Sequence, residues 1–151
     1  MNDDTIWSIQ LEKHDTKDIH DKHINGTLTV VWRDWDNYLK TPPKMIYISS
    51  VNPGEIKGPH LHKRRNSYFV CVHGKVMFVI NDNGRYVEIE SSEENPVLIC
   101  VPKNISSAHI NLSMNVSRVL VIADLSWKPN DDEMINTEFE DYDWSKWKGK
   151  I

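Results

Sequence analysis

Apolar residues in this chain gather in short runs rich in Val, Ile and aromatic side chains, with no sustained helical spacing. Such runs predict strands at Gly26–Trp32, Lys44–Val51, Tyr68–Val72, Val76–Ile80, Tyr86–Ile89, Val97–Val101 and Val116–Ala123. Turn residues separate them. Asn52-Pro53-Gly54 ends one run, Asn81-Asp82-Asn83-Gly84 predicts a hairpin, and Pro102-Lys103-Asn104 ends another. Strand after strand at hairpin spacing, with no helix of three turns between them, implies an all-β antiparallel sandwich or barrel. From Lys128 onward the pattern changes. Acidic residues surround Tyr142, Trp144 and Trp147, which reads as a short helix or a strap across the barrel, because disordered tails carry few aromatics.

Composition narrows the class. With 151 residues the chain is long enough for one domain with a real core. The expected organisation is a single domain over 1–151, with a core at about 18–127 and an acidic aromatic tail at 128–151. A formal charge of −4 argues against nucleic acid as a partner. No apolar run approaches the ~20 residues that span a bilayer, so no membrane partner is expected. The acidic start lacks a signal-peptide core, and a cytoplasmic protein is expected. Cys71 and Cys100 each sit in an apolar run and read as small buried hydrophobes rather than a disulfide framework.

The densest chemical signal runs from Pro53 to Arg65. Residues two apart on a strand share a face, so His60 and His62 project side by side. Lys57, Lys63, Arg64 and Arg65 surround them with positive charge, which suits a ligand diphosphate. Gly54, five residues, His60-Leu61-His62, and then Gly74 resemble the first motif of the cupins, which are jelly-roll barrels. Metal-binding cupins place a glutamate where this chain has Asn66 or Ser67, and a histidine where it has Ser107, with His109 two residues on. The resemblance therefore implies no metal and no cofactor.

Lys57-Gly58-Pro59-His60 resembles the Arg-Gly-x-His motif of metal-independent cupins that modify nucleotide-linked sugars. These are the dTDP-4-dehydrorhamnose 3,5-epimerases and the dTDP-4-keto-6-deoxyhexose 3,4-ketoisomerases. The segments Asp21 to Leu28, Val70 to Gly74 and Phe139 to Trp144 are similar to further parts of these proteins. The epimerases' catalytic lysine and aspartate fall at Ser67 and Phe78, and their acid tyrosine falls near Leu125 to Trp127, where no tyrosine stands.

The resemblance implies an isomerase or epimerase in polysaccharide sugar biosynthesis. Its substrate is a nucleoside-diphosphate 4-keto-6-deoxyhexose, and its reaction removes a proton next to the ketone. Histidine suits such a base because its pKa lies near neutrality. His60 is expected to be the base, with His62 helping to move the proton. Tyr47 is a candidate proton donor, and Asp143, on a folded-back tail, a candidate orienting carboxylate. Lys57, Lys63, Arg65, Ser67 and His109 are assigned to substrate binding, His109 reading equally well as a satisfied strand histidine. His73 reads as structural, and His14, His20 and His23 as exposed. A homodimer is expected, formed through the run Leu28 to Trp32 with Trp35 and Tyr38 nearby. Two other readings stand beside the enzyme: a sugar-binding cupin without turnover, and a metal-dependent cupin.

Overall fold

The computed structural model describes residues 4–39 and 41–150; positions 1–3, 40 and 151 of the expected single domain lie outside the described residues. About 51% of it is strand and 3% helix. Two five-stranded antiparallel sheets face each other. The first runs in the order β1 (Trp7–Gln10), β9 (Val97–Val101), β6 (Ser67–His73), β11 (Ser117–Ala123), β4 (Met45–Val51). The second runs β12 (Met134–Asn136), β5 (Ile56–His62), β10 (Ser107–Asn111), β7 (Lys75–Asp82), β8 (Arg85–Ser92). A hairpin of β2 (Glu12–Lys17) and β3 (Ile24–Val30) forms a separate two-stranded sheet, and α1 is one turn at Ser145–Lys148. The architecture is an antiparallel jelly roll whose sheets do not close into a barrel. None of the described helices is long and apolar enough to cross a membrane.

Alternation along the strands builds three apolar layers. Phe69, Cys71, Val76, Phe78, Ile80, Ile99, Val119 and Val121 fill the space between the sheets. The intervening residues of the first sheet, Tyr68, Val70, Leu98, Cys100 and Ile122, pack under Leu11 and Leu39 on its outer face. The intervening residues of the second, Met77, Val79, Ala108 and Ile110, pack under Phe139, with Tyr142, Trp144 and Trp147 beside it. Strands buried on both faces lose their polar alternation, which is why β6, β7 and β9 read as continuous apolar runs. The framework reaches past 18–127 at both ends, since β1 belongs to the first sheet and β12 to the second. The tail is both strap and short helix. The hairpin at Asn83-Gly84 forms as the sequence predicts, with both residues at positive φ (54° and 92°).

The sandwich is open along one side. Strand β4 pairs only with β11, and β5 pairs with β10 and β12, so no backbone ladder joins β4 to β5. Side-chain bonds cross that gap: Lys57 Nζ donates to Ser49 Oγ at 2.8 Å, and Arg65 Nη2 donates to Tyr47 Oη at 3.2 Å.

Candidate active site

The His-x-His strand is irregular, and the irregularity shapes the site. Ser107 pairs with His60, yet His109 pairs with Lys57, so β5 carries one extra residue between the two pairs. Without it, Lys57 would lie on the face opposite His60, three residues away. The extra residue brings Lys57, His60 and His62 to one face, the usual consequence of a bulge. Gly58 makes it possible: its φ is +89°, and a Cβ there would come within 2.7 Å of the Ser107 carbonyl oxygen.

His62 is held from both sides. Its Nδ1 lies 2.5 Å from Glu133 Oε2, and its Nε2 lies 2.8 Å from Arg65 Nη2. The guanidinium can only donate, so Nε2 accepts and Nδ1 carries the proton, which is the neutral imidazole. The other oxygen of Glu133 accepts the backbone N–H groups of Arg64 and Arg65 at 3.1 and 3.0 Å. Burial pushes the Glu133 carboxyl up, but the bonds from His62 and the two backbone groups outweigh it and hold the carboxyl below its ordinary value. Burial also lowers the His62 pKa below 6.5, against the opposing pull of Glu133. His60 meets His62 edge to face, with ring centroids 5.5 Å apart. Its pKa falls through burial and through the repulsion of His62, Arg65 and Lys57. Tyr47 is pushed up by burial and stays protonated.

These groups surround neighbouring spaces that share lining residues. A chamber of about 410 Å³ is lined by Met45, Tyr47, His62, Arg65, Trp127 and Glu133, among others. A pocket of about 60 Å³ shares Tyr47 with it and is lined by Ser49, Lys57, His60, Ser107 and His109. A void of about 10 Å³ lies among His60, His62, Arg65 and Ser67. The structure therefore brings together Tyr47, Lys57, His60, His62, Arg65, Ser67 and His109. His109 is buried, stacks on Phe78 at 4.7 Å and is pushed down to about 3 by burial, so it stays neutral. Ser67 is buried and its Oγ has no hydrogen-bond partner among the described residues.

Other expected residues lie elsewhere. Asp143 is exposed and accepts the N–H and hydroxyl of Ser145, two residues on, at the start of α1. The carboxylate that reaches His62 is Glu133, ten residues earlier. The sequence reading missed it because the tail offers many acidic residues and no spacing rule that selects one. Met134 pairs with His62 in the sheet, and that register delivers Glu133. Lys63 and Arg64 are exposed, Arg64 lying 3.9 Å from Asp131. Asn66, at a metal-cupin glutamate position, instead bonds Asp124 and the Lys103 N–H. His14, His20, His23 and His73 are exposed, the last bonded to Glu93. His60, His62 and His109 do not converge as a metal-ligand set; among the described residues the one such grouping is Asp18, Asp21 and His23, on the surface.

Residues 9–144 match the family described as FdtA: WxcM-like, C-terminal. The chain belongs to that family. No curated protein matches it by sequence. Among solved structures it is similar to a dTDP sugar isomerase from Desulfovibrio desulfuricans G20, with a TM-score of 0.78, 15% identity and 94% of each chain covered. It is also similar to a mutant of the 3,4-ketoisomerase QdtA from Thermoanaerobacterium thermosaccharolyticum in complex with TDP-4-keto-6-deoxyglucose, with a TM-score of 0.67, 17% identity and 87% of each chain covered. A third is the capsular polysaccharide assembling protein CapF from Staphylococcus aureus, with a TM-score of 0.60 and 20% identity over 66% of this chain. The chain spans 30% of CapF's length. Likeness at these identities is a likeness of fold.

Proposed function

We propose that this protein is an isomerase of nucleoside-diphosphate 4-keto-6-deoxyhexoses, with dTDP as the carrier, and that it moves a proton at the carbon beside the ketone. The observation that carries this reading is the imidazole of His62, fixed between Glu133 and Arg65 on the wall of a ligand-sized chamber. A carboxylate on Nδ1 sets the tautomer and directs the Nε2 lone pair outward. In this reading His62 is the base and His60 the partner that serves the oxygens, the reverse of the roles the sequence suggests. His60 makes no side-chain hydrogen bond among the described residues, so its ring is available to donate or accept.

Substrate draws the Arg65 guanidinium away from Nε2 toward its own negative oxygen. His62 Nε2 then takes the proton from the carbon next to the ketone. The C–H pair becomes a C=C bond and the ketone π pair becomes an oxyanion, to which the Tyr47 hydroxyl can donate. Return of the proton to the opposite face gives an epimer. Return to the former carbonyl carbon, with His60 passing the neighbouring hydroxyl proton to the former ketone oxygen, gives the shifted ketone. Trp127, 67% exposed at the chamber's edge, offers a flat face for the base of the nucleotide, and Lys63 and Arg64 lie outside for its phosphates.

The test is solvent deuterium incorporation into dTDP-4-keto-6-deoxyglucose, followed by NMR. Wild-type protein should exchange a carbon-bound proton. His62→Asn should slow exchange by about 10²–10⁴-fold, the usual worth of a general base, while binding persists. Binding without any exchange by wild-type protein would move the reading to a sugar-binding module.

We also infer a homodimer. Ile46 and Ile48 are 58% and 52% exposed on the edge strand β4. The β2–β3 hairpin, bonded to neither sheet, exposes Ile24 and Leu28, and Trp35 is exposed beyond it. A free strand edge beside exposed apolar side chains is a template for another strand. Light scattering at micromolar concentration should give twice the chain mass; the mass of one chain would count against the dimer.

A further inference from the structure

The small pocket beyond Tyr47 differs in character from the chamber. The chamber's lining includes Asp131 and Glu133, whereas the small pocket is lined by no carboxylate. Its charged group is Lys57. The sequence reading places this lysine on a ligand phosphate. The bulge at Gly58 turns it instead to the face of His60, opposite His109. Its Nζ bonds the Ser49 hydroxyl across the open side of the sandwich and has no carboxylate partner among the described residues.

Phe69 and Val121 supply apolar wall, and the remaining polar groups around this pocket are neutral. Tyr47 stays protonated, and the pKa of His60 is depressed. His109 is 7% exposed, and its Nε2 has no hydrogen-bond partner among the described residues. A buried imidazole nitrogen left unpaired is costly, and such a group is explained by an oxygen that pairs with it when the site is filled. The pocket's volume, about 60 Å³, is too small for a hexose ring or a diphosphate. It is far smaller than the chamber beside it, so of a ligand that fills the chamber it suits one oxygen and the carbon that bears it.

We propose that the substrate's ketone oxygen occupies this pocket and that Lys57 is a catalytic residue, the cation on which the enolate oxygen forms. The assignment rests on the isomerase reading above and adds to it the place where negative charge develops. As His62 takes the carbon-bound proton, the ketone π pair moves onto oxygen beside Lys57 Nζ. The ammonium keeps its protons and only donates a hydrogen bond. When carbon is reprotonated, the C=O bond reforms and the charge on oxygen disappears. A cation used this way acts on the transition state more than on the bound substrate, so its loss appears in kcat rather than in affinity.

Lys57→Met keeps the stem and removes the charge, and the side chain is exposed, so the fold should survive; circular dichroism checks it. Two quantities are read: deuterium exchange into saturating dTDP-4-keto-6-deoxyglucose, and the Kd of thymidine diphosphate, which lacks the ketone. The expected result is exchange slowed by about 10²-fold, the lower end of what loss of one oxyanion donor costs, with Kd within about twofold of wild type. Unchanged exchange, or a Kd weakened tenfold with exchange at saturation intact, would overturn the assignment and return Lys57 to the phosphates. Either result leaves the isomerase reading standing. Absence of exchange by wild-type protein brings down that reading, and this assignment with it.

Discussion

The space between the two sheets is filled in two different ways. Toward β7, β9 and β6 it holds Phe69, Val76, Phe78, Ile80 and Ile99, which are packed and nearly free of solvent. Toward β4 and β5 it holds Tyr47, Ser49, Lys57, His60, His62 and Arg65 around open volume. The apolar side stabilises by removing hydrocarbon from water, at roughly 25 cal/mol per Å². The polar side gains little from burial, because each group must be hydrogen-bonded to offset its lost hydration. Arg65 shows that balance incompletely met: it is 6% exposed, bonds His62 and Tyr47 through Nη2, and leaves Nε without a hydrogen-bond partner among the described residues. The packed side therefore holds the sheets apart at a fixed distance, and the open side uses that distance to hold reactive groups that would not by themselves assemble.

The contrast can be broken from either side. Ile99→Ala removes a fully buried side chain from the packed side. It should cost about 2–5 kcal/mol of stability, measured by urea unfolding, while the exchange rate per folded molecule stays within about threefold. A large loss of exchange at full folding would mean that the two sides are not separable.

Glu133→Gln does the opposite. It keeps the size of the side chain but removes the charge that holds His62. Exchange should fall by about 10–100-fold, the cost seen when a positioning partner is lost, with a smaller loss of stability than Ile99→Ala. The pH profile separates positioning from plain structural damage. The proposed mechanism needs neutral His62, whose pKa lies below 6.5, so the rate should be level above that pH and fall only below it. Glu133 raises the His62 pKa, so removing its charge must lower it further and carry the acid limb of the profile to lower pH. An acid limb that stays in place would show that Glu133 does not act through His62.

Much of this molecule is legible in the order of its residues. Strands β6, β7, β9 and β11 show themselves because residues buried on both faces must be apolar whatever they pack against. The turn at Asn83-Gly84 shows itself because two successive positive φ angles restrict the residue types. His60 and His62 stand out because alternation alone places them on one face. Strands β1, β2, β10 and β12 do not show themselves: Trp7–Gln10 is four residues long, Glu12–Lys17 is polar, Ser107–Asn111 carries Ser, His and Asn although it is buried, and Met134–Asn136 is three residues long.

The site's completion lies in contacts distant in sequence. Nothing near Lys57 in the chain says that it shares a face with His60; the register against β10 decides that, through one extra residue at Gly58. Nothing in the acidic tail distinguishes Glu133 from Asp143. The pairing of Met134 with His62 places Glu133 against the imidazole, while Asp143 is left to bond Ser145 on the outside. Local sequence sets which way a side chain points relative to its own strand. Which strands become neighbours, and in what register, is set by burial summed over the whole chain, and that sum is available only to the folded molecule.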